Sequence, residues 1–133
     1  MFRFIALFLL TLPLAAFSQR LPEKDPKNEH VFVYTEKMPV FPGGEEALYD
    51  YIKTHLRYPD SLAGKNIQGK VYLTFIVSEK GKISDVEVLR GVQRDLDQEA
   101  VRMIQSMPDW IPGEQSGVPV KVRFSLPVYF KLN

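Results

Sequence analysis

Alternating apolar and polar residues predict three β-strands in the second half of the chain. The clearest strand is 70–78. A glycine turn separates it from a second strand at 83–90, where a change of phase predicts a bulge near Ser84. The third strand spans about 118–132. Its apolar residues keep one parity throughout: Val120, Val122, Phe124, Leu126, Val128, Phe130 and Leu132.

Apolar residues at helical spacing predict two helices. The first follows Gly44, has Glu45 and Glu46 in its first turn and ends before Pro59. The second begins at Asp95 as N-cap and ends before Pro108. A short β-prone run at 30–35 precedes both helices, and the sequence leaves open whether it joins the sheet.

This order predicts an α+β fold, a two-layer α-β-β-α-β sandwich. Two helices would pack on a three-stranded antiparallel sheet with the C-terminal strand at an edge.

The N-terminus has the layout of a secretory signal peptide. Arg3 precedes an apolar run over 4–17, and the small residues Ala16 and Ser18 follow. The chain is therefore expected to consist of a signal peptide at 1–18, a disordered tether at 19–30 and one domain at 31–133.

Charge and motifs favour neither an enzyme nor a nucleic-acid-binding protein. Seventeen Lys and Arg against sixteen Asp and Glu give a net charge of +1, so no overall charge attracts nucleic acid or an anionic membrane. Cysteine is absent and the two histidines are far apart. Residues 64–70 fit the start of a phosphate-binding loop, but Val71 replaces the Ser or Thr that would bind magnesium. We therefore expect no catalytic residues, no metal and no cofactor.

Pro127 interrupts the alternation of the last strand. Proline cannot donate to a β-ladder, so it is largely confined to strands at a sheet edge. An exposed edge is a template for an added peptide strand, although charged side chains can also guard an edge that binds nothing. The sequence alone leaves both interpretations open.

An ordered set of short segments resembles the TonB C-terminal domain family of bacterial energy transducers. The segments are MPVFPGGEEAL at 38–48, YP at 58–59, IQGKV at 67–71, GKISDV at 81–86, LRG at 89–91, LD at 96–97, AV at 100–101, PDWIPG at 108–113 and the strand through LP at 126–127.

The resemblance implies a periplasmic domain that binds the TonB box, an extended segment of outer-membrane TonB-dependent receptors, by strand addition. It implies no enzymatic activity and a role in energy-dependent transport across the outer membrane. The implied contact residues are Tyr58, Pro59, Val122, Arg123, Phe124, Ser125, Leu126, Pro127, Val128, Tyr129 and Phe130.

Two alternatives remain open from the sequence. An uncleaved signal would anchor a short transducer in the inner membrane, where a proton-channel motor is the expected partner. Alternatively, the chain is a structural module of the envelope that forms a homodimer through the edge strand.

Overall fold

A computed structural model describes residues 20–132, so the predicted signal peptide at 1–18 lies outside the described residues. The elements in chain order are β1 (Glu23–Asp25), β2 (Asn28–Tyr34), α1 (Glu45–His55), β3 (Gly69–Val77), β4 (Ile83–Arg90), α2 (Arg94–Gln105), β5 (Gly113–Gln115) and β6 (Val118–Phe130). A single 3-10 turn, Asp60–Leu62, lies between α1 and β3.

The strands form one mixed sheet in the order β1-β2-β6-β3-β4, with β5 also paired to β6. The α+β class with two helices is confirmed, but the three-stranded antiparallel sheet is wrong. The run at 30–35 joins the sheet as β2, parallel to β6. The outer strands are β1 and β4, so placing the whole C-terminal strand at an edge was also wrong.

Residues 19–30 were expected to be a disordered tether, but β1 and the beginning of β2 form a hairpin there. Arg123 Nε donates to Asp25 Oδ2 at 2.9 Å, and the Lys27 N–H donates to Asp25 Oδ1 at 2.9 Å. The Asp25 side chain is 6% exposed and that of Arg123 is 19% exposed. Val31 of β2 is buried. One shielded ion pair and one apolar contact thus fix a segment whose composition alone favours disorder.

The hairpin is expected to loosen in acid because of Asp25. The hydrogen bond from the Lys27 amide and that from Arg123 lower the pKa of this carboxyl below its ordinary value of 3.8. A group whose pKa is depressed in the folded state stabilises that state above its unfolded pKa, and this contribution is lost as pH falls through the folded pKa. The protection factors of the β2 amides against hydrogen exchange should therefore fall below about pH 4, and Asp25→Asn should abolish that dependence.

Glu23→Gln is the matched control in the same hairpin, because the Arg20–Glu23 pair is 62% and 57% exposed. This change should leave the acid dependence in place. An unchanged acid response in Asp25→Asn would show that another group controls the hairpin.

Both helices pack on one face of the sheet. Buried residues of α2, among them Leu96 and Met103, meet Leu73 and Phe75 of β3 in a single core. The helix begins one residue after Gln93, whose side-chain Oε1 accepts from Asp95 N and Leu96 N at 2.6 and 3.2 Å. The predicted N-cap at Asp95 was therefore wrong by two residues, since glutamine is an uncommon cap.

The predicted bulge in β4 is confirmed. The pairing partners of Thr74 and Ile76 are Glu87 and Ser84, which leaves one extra residue on β4. Asp85, next to Ser84, has a positive φ of 50°. The bulge explains the change of phase in the sequence.

Candidate functional site: the open half of the last strand

The side of β6 that faces away from β3 can be identified from Pro127. Residues 122–130 of β6 pair antiparallel with β3, and Pro127 lies opposite Tyr72. Proline has no N–H, so this pair is a non-hydrogen-bonded pair of the ladder. The backbone groups of Pro127, Ser125 and Tyr129 therefore point away from β3.

On that outward side, β2 covers only the beginning of the strand. Its parallel pairing consists of Val31 with Lys121 and Phe32 with Val122. Within residues 20–132 no strand pairs with the outward side over 124–130. We call 124–130 the open half of β6. An unpaired row of backbone groups in this stretch is a site at which another strand can add.

A groove of about 600 Å³ runs between α1 and the open half. Its lining residues are Tyr49, Ile52, Lys53, Leu56, Tyr58, Pro127, Tyr129, Phe130 and Lys131. Tyr49 and Tyr129 are more than half exposed, while Ile52 and Leu56 are half-buried. The groove therefore combines an apolar floor with exposed aromatic walls and two lysines.

Contacts with α2 fix the end of α1 that borders this groove. Arg102 Nη2 donates to the carbonyl of His55 at 2.8 Å, which satisfies one of the last carbonyls of α1. Glu99 Oε2 accepts from Arg102 and from the Arg57 amide at 2.7 Å each. Burial raises the pKa of Glu99, but these hydrogen bonds outweigh it and lower the pKa below its ordinary value. Near neutral pH the carboxylate is therefore charged and holds the helix end in place.

The two residues of the Tyr-Pro pair are not equivalent, because Tyr58 lines two grooves and Pro59 lines one of them. The Tyr58 hydroxyl donates to the carbonyl of Ile67 at 2.9 Å, which orients its ring along the wall of the groove beside β6. Pro59 lines the second groove, together with Arg57 and Glu99. Only Tyr58 lies at the surface that contains the open half.

The other implied contact residues divide into three groups. Val122, Leu126, Val128 and Phe130 are buried in the core and Phe124 is partly buried. Ser125, Pro127 and Tyr129 are exposed. Arg123 is engaged by Asp25.

Sequence reasoning did not identify the contribution of α1 to this site. Tyr49, Ile52, Lys53 and Leu56 all line the groove, and their spacing places them on one stripe of a helix. The spacing of these residues can be read from the sequence. Their mixed composition does not indicate a binding surface, because a lysine and an exposed tyrosine interrupt the apolar residues.

Comparison with known proteins identifies the family. The model of the Gram-negative bacterial TonB protein C-terminal matches residues 54–132, more than half of the chain. The chain belongs to the TonB C-terminal family. This family is non-enzymatic, couples energy to transport, works in the bacterial envelope and interacts with outer-membrane receptors.

Solved TonB C-terminal domains share the fold. The solution structure of Helicobacter pylori TonB residues 194–285 has a TM-score of 0.51 and 21% identity, and the match covers 65% of this chain and 90% of that one. A longer H. pylori TonB structure, residues 179–285, has a TM-score of 0.51 and 20% identity, with 69% and 87% covered. No curated protein is significantly similar to the chain.

The hairpin β1–β2 precedes the region that the TonB family model matches. Neither helix within residues 20–132 is long and apolar enough to cross a membrane.

Proposed function

We propose that this TonB-type domain binds an extended peptide, the TonB box of an outer-membrane receptor, by adding it as a strand along the open half of β6. The binding occurs in the periplasm and supports energy-dependent transport across the outer membrane. The observation that carries the proposal is the unpaired outward side of 124–130 beside a groove that can take the side chains of the added strand.

The backbone groups of the open half suit a short strand. Ser125 and Tyr129 each offer one N–H and one C=O on the outward side, and Pro127 offers a C=O alone. At about 3.3 Å per residue, this stretch has room for roughly six residues of peptide. Alternate side chains of that peptide would point toward the groove, where Ile52 and Leu56 offer apolar surface.

The hydrogen bonds alone predict a weak complex. Each contributes about 0.5–1.5 kcal/mol net, and ordering a flexible peptide consumes much of that gain. Apolar side chains entering the groove supply the remainder. We therefore expect micromolar to millimolar affinity for an isolated peptide, which suits a contact that is made and broken repeatedly.

Ser125→Pro should weaken peptide binding roughly fivefold, the equivalent of about 1 kcal/mol for one lost hydrogen bond. The outward N–H of Ser125 does not bond to β3, so its removal leaves the β3–β6 ladder intact. Ser125→Ala is the matched control, because it removes the hydroxyl and keeps the N–H. Titration of a synthetic receptor peptide, followed by amide resonances of 123–130, measures both variants.

Equal affinity for Ser125→Pro and Ser125→Ala would contradict strand addition at this position. Absence of any shift in 123–130 at millimolar peptide would count against a peptide ligand altogether. A stable dimer in light scattering, abolished by Ser125→Pro, would instead favour pairing of the open half with a second copy.

A further inference from the structure

The sheet has a second face, which shares only Pro127 and Tyr129 with the proposed peptide site. Both helices lie on the face that contains Leu73 and Leu126, and the β1–β2 hairpin is tied to the opposite face at Arg123. Toward the other end of β3 and β6, that opposite face is exposed. We call its exposed residues the tyrosine face: Lys70, Tyr72, Arg90, Pro127 and Tyr129.

Register and side-chain contacts place these residues together. Lys70 pairs with Tyr129 across β3 and β6, and Tyr72 pairs with Pro127 on one side and Arg90 on the other. Lys70 Nζ lies 5.9 Å from the ring centroid of Tyr129, and Arg90 Cζ lies 6.0 Å from that of Tyr72. Two cations thus stand beside two tyrosine rings on one surface.

The tyrosine face is locally positive although the chain as a whole is nearly neutral. Within residues 20–132 neither Lys70 nor Arg90 forms an ion pair. Two carboxylates on this side of the sheet, Asp25 and Glu87, contact Arg123, although Glu87 pairs with Thr74, two residues along β3 from Tyr72. Lys70 and Arg90 are therefore complementary to an anionic partner.

The same surface also exposes aromatic and apolar side chains. Tyr72 and Tyr129 are 38% and 52% exposed, and Leu89, the extra residue of a register shift beside Arg90, is 64% exposed. Tyrosine rings and snorkelling lysines favour the boundary between lipid headgroups and acyl chains. Residues on one side of a sheet form a shallow surface rather than a pocket, which suits an extended anionic surface better than a small anion.

We propose that the tyrosine face docks onto the headgroups of an anionic bilayer leaflet. Lys70 and Arg90 contact lipid phosphates, the tyrosine rings lie at headgroup level, and Leu89 inserts at the margin. The inference goes beyond peptide binding and does not depend on it. Pro127 and Tyr129 also line the margin of the groove beside α1, so a docked bilayer would lie next to that groove.

Co-sedimentation with vesicles tests the proposal. The chain should bind vesicles of equal parts phosphatidylglycerol and phosphatidylethanolamine at low ionic strength and should not bind phosphatidylcholine vesicles. Binding should weaken steeply between 0.01 M and 0.15 M salt, as the Debye length falls from about 30 Å to about 8 Å. This arm uses the unaltered chain, so it does not depend on any variant folding.

Charge-removing variants locate the contact. Lys70→Gln and Arg90→Gln should each weaken vesicle binding about fivefold, the effect of one basic residue near an anionic surface. Lys80→Gln, an exposed lysine in the β3–β4 turn, is the control and should bind as the unaltered chain does.

Three results would overturn the proposal: equal binding to phosphatidylcholine vesicles, an equal loss in Lys80→Gln, or competition by millimolar inorganic phosphate. The last would indicate recognition of a single anion rather than a surface. Loss of peptide binding with vesicle binding intact would refute the proposed function and leave this inference standing.

Discussion

Gly81→Ala is expected to lower the free energy of unfolding by about 2–5 kcal/mol. Gly81 has φ of +83°, and a Cβ built there lies 1.9 Å from the carbonyl oxygen of Trp110. A left-handed conformation costs an L-residue about 1–2 kcal/mol, and overpacking typically adds about 1–3 kcal/mol. Displacement of the Trp110 backbone is also unfavourable, because the Trp110 N–H donates to the Gly81 carbonyl at 2.8 Å. Moving Trp110 away would break that bond as well.

Gly117→Ala separates the conformational cost from the steric cost. Gly117 has φ of +76°, and nothing lies within 4 Å of a Cβ built at that position. This variant should lose only the left-handed contribution, about 1–2 kcal/mol. Urea unfolding followed by far-ultraviolet circular dichroism measures both variants. Similar losses of unfolding free energy in the two variants would show that the loop carrying Trp110 moves to accommodate the added methyl group without an energetic penalty.

The regular elements of the domain could be predicted because each carries its own periodicity. The strand expected at 70–78 is Gly69–Val77, the helix expected to follow Gly44 is Glu45–His55, and the strand at 118–132 is Val118–Phe130. Alternation and helical spacing are local properties, and burial on one face produces them directly.

The β1–β2 hairpin could not be predicted for a physical reason. Its stability depends on Asp25 meeting Arg123 and on Val31 pairing with Lys121, contacts between opposite ends of the chain. In the local composition, Asp25 is only one more charged residue in a polar segment. The local sequence pattern cannot show that a distant residue pairs with it.

Pro127 indicated which side of the strand lacks a ladder donor, but it could not indicate how far that side is open. Pairing with β2 closes the beginning of β6 and ends before Pro127. The extent of the open half depends on where β2 diverges, a property of the other strand. Similarly, the net charge of the chain could not predict the tyrosine face. Lys70 and Arg90 are brought together only by the register of β3 and β4.

Trp110→Ala is expected to cost about 3–5 kcal/mol, the usual range for removing a large aromatic side chain from a core. Trp110 is 3% exposed and contacts the rings of Phe41, Phe75 and Phe124, with centroids 5.7, 5.4 and 5.0 Å away. Phe124 is the first residue of the open half. The cavity would therefore remove the packing that holds the inner side of the proposed peptide site.

Trp110→Phe should cost much less, because two effects oppose each other. The smaller ring leaves a cavity, but Trp110 Nε1 is the one buried side-chain donor without a partner in the described part of the chain. Burying an unsatisfied polar group costs about 1–3 kcal/mol, so removing that N–H offsets part of the lost packing. Chemical denaturation should rank the unaltered chain and Trp110→Phe within about 2 kcal/mol, with Trp110→Ala well below both. If Trp110→Phe were as unstable as Trp110→Ala, removal of the unpartnered N–H would offset none of the lost packing.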